Sequence, residues 1–270
     1  MRETWRWYGP SDPISLQAIR ETVARGVVTA LYHVAPDRAW KYKEIMALKG
    51  QIEAAGLTWD VVESIPVPNS VKLGNAQRGG GIETCLRTLS AVADAGIGTV
   101  CYNFMPTFDG TRSSTRWLTR TGLATRFNST DFAVYDLFLL QREGTRDTYP
   151  DALCAAPGND TLDLFAQFSH RVNFLHLRNV TIDGPGSFFE DEHLVGQTDL
   201  AALAELMLRE ERRRLAQGRG DAIIPMRPDH GHLTERDADL GAPHGYAYVG
   251  RLKGLADLRG VATALDARLA

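Results

Sequence analysis

Short strand-like runs and helix-like patterns alternate along this chain, and that alternation restricts its fold more than any other feature. Residues 26–33 read as a buried strand, because Val27, Val28, Ala30 and Leu31 crowd together. Behind them Ile45, Leu48, Ile52 and Ala55 recur at helical spacing, and Gly56 supplies the stop. A strand at 59–64 follows, then a helix with Ile82, Leu86, Leu89 and Ala93 on one face, closed by Gly96, then a strand at 99–104. Residues 106–130 are polar and irregular, with the length of an active-site loop. Phe132, Tyr135, Phe138 and Leu139 mark a helix that residues 129–131 can cap. A short strand at Ala152-Leu153-Cys154 leads to a helix through Leu162, Leu164, Phe165 and Phe168. Strands at 172–179 and from 222 flank a helix from Leu200 to about Leu215, whose Arg209-Glu210-Glu211-Arg212-Arg213-Arg214 run reads as a solvated face. Leu252, Leu255, Leu258 and Leu265 end the chain in a last helix.

Repeated strand–helix units imply a parallel sheet with right-handed crossovers. Strand starts near Arg6, Val27, Trp59, Val100, Ala152, Val172 and Ala222 number seven. A complete barrel of this type has eight. The expected fold is therefore a TIM-type (β/α) barrel, incomplete with seven strands. No repeat or linker interrupts it, and 270 residues suit a single domain over 1–270.

Two of these strands run directly into titratable side chains. Val172-Asn173-Phe174-Leu175 is followed by His176-Leu177-Arg178, and Ala222-Ile223-Ile224-Pro225-Met226 by Arg227-Pro228-Asp229-His230-Gly231-His232. An α/β barrel builds its active site from such groups at strand ends, so the chain reads as an enzyme. With 30 basic and 33 acidic residues interspersed and a net charge of −3, it has no basic stripe for nucleic acid and no polybasic membrane patch. No apolar run approaches membrane-spanning length. The odd, widely spaced set of Cys85, Cys101 and Cys154 argues against a disulfide framework. A cytoplasmic protein acting on a small molecule is the expectation.

Several segments carry a family resemblance. Thr4-Trp5-Arg6-Trp7-Tyr8-Gly9-Pro10, Cys101-Tyr102-Asn103-Phe104-Met105-Pro106, His176-Leu177-Arg178-Asn179, Arg227-Pro228-Asp229-His230-Gly231 and Gly250-Arg251-Leu252-Lys253-Gly254-Leu255 resemble signature segments of the mannonate dehydratase family, in its order. The resemblance implies a metal-dependent barrel related to the xylose isomerase type. It also implies dehydration of D-mannonate to 2-keto-3-deoxy-D-gluconate in glucuronate catabolism, with Mn2+ or Fe2+. By position it implies His176, Asp229 and Cys154 as metal ligands, and His230 and Tyr246 as the acid–base pair.

These residue types suit the chemistry. Removing water from a sugar acid takes a weakly acidic proton beside a carboxylate, which needs a base, an acid for the departing hydroxyl, and a cation for the developing charge. A His, Asp and Cys set suits a borderline transition metal better than magnesium or calcium. Arg178 and Arg227 are of the type that grips a carboxylate through paired hydrogen bonds. Cys154 also reads as a small core hydrophobe, Arg178 as a tie between strands, and Tyr246 as a half-buried aromatic. His33 and Glu63 sit at strand ends and are candidates for the same rim; Trp5, Trp7 and Tyr8 are expected at the barrel's edge or entrance.

One departure from the family stands out. Its full-length members carry a long stretch before the segment holding Cys154, with a His-Pro-Asp-Asp-Pro-type motif whose histidine is a further ligand. Here Tyr149-Pro150-Asp151-Ala152-Leu153-Cys154 nearly joins the flanking segments, and the motif is absent. Three readings stay open: a mannonate dehydratase or close sugar-acid lyase, a related metal-dependent sugar isomerase or epimerase, and a non-catalytic paralogue. Loss of a strand exposes two sheet edges that a homodimer would cover. The isolated monomer is expected to bind metal weakly and to dehydrate mannonate slowly or not at all.

Overall fold

The computed structural model describes residues 1–104, 111–136 and 161–269. The chain divides into two compact units: Met1–Gly110 with Asn173–Leu175 and Ile223–Arg227, and Thr111–Val172 with His176–Ala222 and Pro228–Ala270.

The first unit is α/β. Its strands are β1 (Arg2–Arg6), β2 (Gly26–Thr29), β3 (Thr58–Ile65) and β4 (Val100–Tyr102). They are joined by helices that include Leu16–Glu21, Tyr42–Ala54 and Arg78–Asp94. β1 also pairs in parallel with β10 (Pro225–Pro228), through Arg2 opposite Pro225 and Glu3 opposite Met226. The sheet order is β4-β3-β2-β1-β10, then the strand that begins at Leu175, β7 (Leu175–Leu177). This is the parallel half-barrel sheet that strand–helix alternation calls for. Val27, Val28, Val61 and Val62 face buried surroundings with Ile45 and Ile52 of the Tyr42–Ala54 helix. Burial of each such side chain contributes about 1.5–3 kcal/mol.

The second unit carries a four-stranded antiparallel sheet in the order Ser114–Thr119, Gly122–Asn128, Ser187–Asp191 and Asn179–Gly184. β5 (Ser114–Thr119) and β6 (Gly122–Asn128) form one hairpin, and β8 (Asn179–Gly184) and β9 (Ser187–Asp191) another. Gly122 closes the first turn at φ +149, and a Cβ there would come within 2.7 Å of the Leu233 carbonyl oxygen. The Leu200–Ala216 helix, capped by the Asp199 side chain on the Ala202 N–H, packs against the Tyr248–Leu269 helix.

Several expectations change here. The stretch read as an irregular loop at 106–130 contains the β5–β6 hairpin from Ser114 onward. The helix after it starts at Ser129 and takes its cap from Asn128, whose side chain accepts the Asp131 N–H. The strand expected from Val172 begins only at Leu175, because the Val172 carbonyl is taken by the Arg214 guanidinium at 2.7 Å. The strand expected from Ala222 begins at Pro225, and Ile223 is exposed.

Two burial patterns also differ. The charge run is solvated only in part: Arg209 and Arg213 are exposed, whereas Glu210, Glu211 and Arg214 are buried, and Arg214 bonds Glu210 at 2.8 Å and the carbonyls of Ser169, Val172 and Asp221. The apolar stripe Ile82, Leu86 and Leu89 faces outward, while Gly81, Thr88 and Val92 are the buried side of that helix. Trp5 and Trp7 lie in the core rather than at an entrance. The strand marked at Ala152-Leu153-Cys154 lies outside the described residues.

Candidate active site

His176 and Leu177 at the end of β7 and Pro228 at the end of β10 belong to the second unit. Pro228 closes β10 because proline has no N–H to continue a ladder. The Asp229 N–H then donates to the Leu177 carbonyl at 2.8 Å, which binds the residue after β10 to the last residue of β7. His193 shares that carbonyl through Nε2 at 3.1 Å. Gly231 must be glycine, since a Cβ there would sit 2.3 Å from the Gly250 carbonyl carbon. The chain passes this close because Gly231 pairs with Tyr246 in a parallel bridge, which sets Tyr246 beside His230 with ring centroids 4.6 Å apart, edge to face.

Asp229 is the hub. Its Oδ2 lies 2.5 Å from His176 Nε2, 3.4 Å from Arg178 Nε and 3.6 Å from His230 Nε2, and its side chain is 1% exposed. A second buried carboxylate stands behind it. Glu190 Oε1 accepts from Arg178 Nη1 at 2.8 Å and from Arg112 Nε at 3.1 Å, and Oε2 meets His230 Nδ1. Burial pushes the Glu190 carboxyl upward, but its hydrogen bond to His230, the charge there and the Arg112 contact outweigh that and hold it well below the ordinary range. His193, sealed at 2% exposure, is pushed down to about 4 by burial.

The first unit has its own charged cluster. Arg227 donates from Nε and Nη2 to the two oxygens of Glu63, each at 3.0 Å, and Arg6 Nη1 reaches Glu63 at 2.8 Å. Arg6 Nε donates to the Tyr32 hydroxyl at 3.0 Å. Cys101, opposite Glu63 in the sheet, has its thiol pushed up to about 11 by burial and by that carboxylate.

Five of the residues singled out in the sequence, His176, Arg178, Asp229, His230 and Tyr246, gather in the second unit. Arg227 lies in the first, its fork already on a protein carboxylate, and Cys154 lies outside the described residues. Sequence reasoning passed over Glu190. Its signal was the Asp183-Gly184-Pro185-Gly186 turn between two apolar runs, which marks the hairpin that carries it.

The donors fit a divalent transition ion in kind. A His nitrogen and a carboxylate oxygen aimed at one point are ligands that such an ion binds at about 2.0–2.2 Å. In number they are two, and among the described residues no group of three His, Cys, Asp or Glu side chains is placed to hold a metal.

Two buried carboxylates, two histidines and an arginine gathered within the second unit are groups able to exchange protons and to bind an anion. The comparisons with known proteins narrow this class. The family model described as D-mannonate dehydratase (UxuA) matches residues 1–143 and 149–270, and the chain belongs to that family. "Mannonate dehydratase 2" of Agrobacterium fabrum is 34% identical, with 100% of this chain and 98% of that protein covered. "Mannonate dehydratase" of Saccharophagus degradans is also 34% identical, with 98% of each covered. The crystal structure of mannonate dehydratase from Streptococcus suis serotype2 superposes with a TM-score of 0.81 at 26% identity, covering 100% of this chain and 94% of that one. The Agrobacterium alignment runs over 391 positions against the 270 residues here, so that relative carries a long internal stretch with no counterpart in this chain. The family match breaks at 144–148, beside the short join at Tyr149.

Proposed function

We propose that this chain is a hydro-lyase that dehydrates D-mannonate to 2-keto-3-deoxy-D-gluconate in glucuronate catabolism. The observation that supports it best is the single Asp229 oxygen approached by His176, Arg178 and His230, in a member of this family.

The proton on C2 leaves and the hydroxyl on C3 departs as water, giving an enol that gains a proton at C3 as it becomes the ketone. His230 takes the C2 proton, an imidazole being the usual general base near neutral pH, and the Tyr246 hydroxyl beside it supplies the proton to the departing oxygen. Arg178, anchored on Glu190 and Asp229, draws the substrate carboxylate by charge. His176 and Asp229, with Cys154, would hold a divalent Mn2+ or Fe2+ ion. When bound, that ion stabilises the negative charge that develops next to the carboxylate.

The wider reading completes this one. The half-barrel belongs to a (β/α) barrel that is incomplete with seven strands, in a single domain over 1–270. The protein is a cytoplasmic homodimer. The outward Ile82, Leu86 and Leu89 stripe supports self-association.

Reaction in D2O tests the function. Dehydration by this route places one solvent deuterium at C3 of a 2-keto-3-deoxy acid. A sugar isomerase or epimerase would return a product that has lost no water.

A further inference from the structure

We propose that Glu190 is a positioning residue that fixes the Nδ1–H form of His230, so that Nε2 is the nitrogen presented to the reaction. The inference rests on the acid–base reading of His230 and adds a residue that reading did not contain.

Glu190 is held from every side. It sits in β9, paired to β6 on one side and β8 on the other, with Val180 directly opposite. Its backbone carbonyl accepts from His232 Nε2 at 2.9 Å, and His232 Nδ1 is tied to the Thr121 hydroxyl at 2.7 Å. Its carboxylate is divided between two tasks. Oε1 receives the guanidinium donors of Arg112 and Arg178, and Oε2 faces His230 Nδ1.

An ionised carboxylate offers lone pairs and no proton, so the nitrogen against it must carry one. With Nδ1 protonated, a neutral His230 has a bare Nε2. That nitrogen lies 3.6 Å from Asp229 Oδ2, on the side of the hub. A base with its free nitrogen turned away would be useless, and a carboxylate behind an imidazole is the common remedy. The antiparallel sheet thus has a task beyond packing, because it brings Glu190 to this place.

Glu190→Gln separates this role from a merely structural one. The two arginines demand an oxygen at Oε1, so the amide NH2 falls against His230 Nδ1 and drives the proton to Nε2. The test reads the 15N shifts of the His230 ring in the purified full chain with diamagnetic Zn2+, at a pH where the ring shows the neutral pattern of one protonated and one bare nitrogen. Wild type is expected to show Nδ1–H and a bare Nε2, and Glu190→Gln the reverse. With D-mannonate, kcat of the variant should fall by roughly 10²- to 10⁴-fold while KM moves less than about threefold. A wild-type ring with bare Nδ1, or a variant with unchanged tautomer and kcat, overturns the proposal. If Glu190→Gln does not fold, the wild-type tautomer decides alone. Failure of the wild type to dehydrate mannonate strikes the functional reading and leaves the tautomer result standing.

Discussion

Arg227 and Glu63 meet in a two-pronged ion pair, both bonds 3.0 Å long, with the arginine side chain closed to solvent and Arg6 against the same carboxylate. Removing the acid takes away the carboxylate that both guanidinium groups share in a buried place. Glu63→Ala is therefore expected to lower the unfolding free energy by about 3 kcal/mol, as breaking a buried pair does. Urea titration of variant and wild type checks this, and a loss near zero would mean that the pair contributes little.

His193 makes stability depend on mildly acidic pH. Its ordinary value is 6.5 and burial holds it near 4 in the folded chain. Between these values the unfolded chain binds the extra proton and the folded chain does not, so stability falls as pH drops through the window and flattens below it. The loss reaches up to about 3 kcal/mol. Melting curves between pH 7 and 4 should show this slope, and His193→Gln should remove most of it.

Leu86 and Leu89 stand outward on the Arg78–Asp94 helix at 60% and 40% exposure. If a second copy covers that stripe, Leu86→Glu with Leu89→Glu places charge in an apolar interface. Sedimentation should then show a dimer for wild type and a monomer for the double variant, with unfolding free energy changed by less than about 1 kcal/mol. A wild type that stays monomeric at high concentration contradicts the dimer.

His176 and Asp229 supply the two donors that converge in the described structure. His176→Ala should weaken Mn2+ binding by at least about 10²-fold, more than loss of a group that only orients a ligand. Manganese retained after dialysis is the readout, and unchanged retention would remove His176 from the ligand set.

The parallel sheet was legible because buried strands are written as runs of Val, Ile and Leu, as in Val27-Val28 and Val61-Val62. The His176, Asp229 and His230 cluster was legible because titratable groups directly follow two such runs. The antiparallel hairpins were not, since β5 exposes most of its residues and writes no apolar alternation. Glu190 was hidden with them. Arg214 was misplaced for a different reason: its burial depends in part on the backbone carbonyls of Ser169 and Val172, distant in sequence, and no local pattern records them. The outward stripe on Arg78–Asp94 has regular helical spacing, which marks an apolar face without saying what covers it.

The central claim is that this shortened chain still removes water from D-mannonate. The direct measurement is formation of 2-keto-3-deoxy-D-gluconate from D-mannonate by the purified protein with added Mn2+, across protein concentrations that span monomer and dimer. The account predicts product whose rate per chain rises with the dimer fraction and is lost in His230→Asn. Folded dimer with manganese bound and no product at any concentration would contradict it.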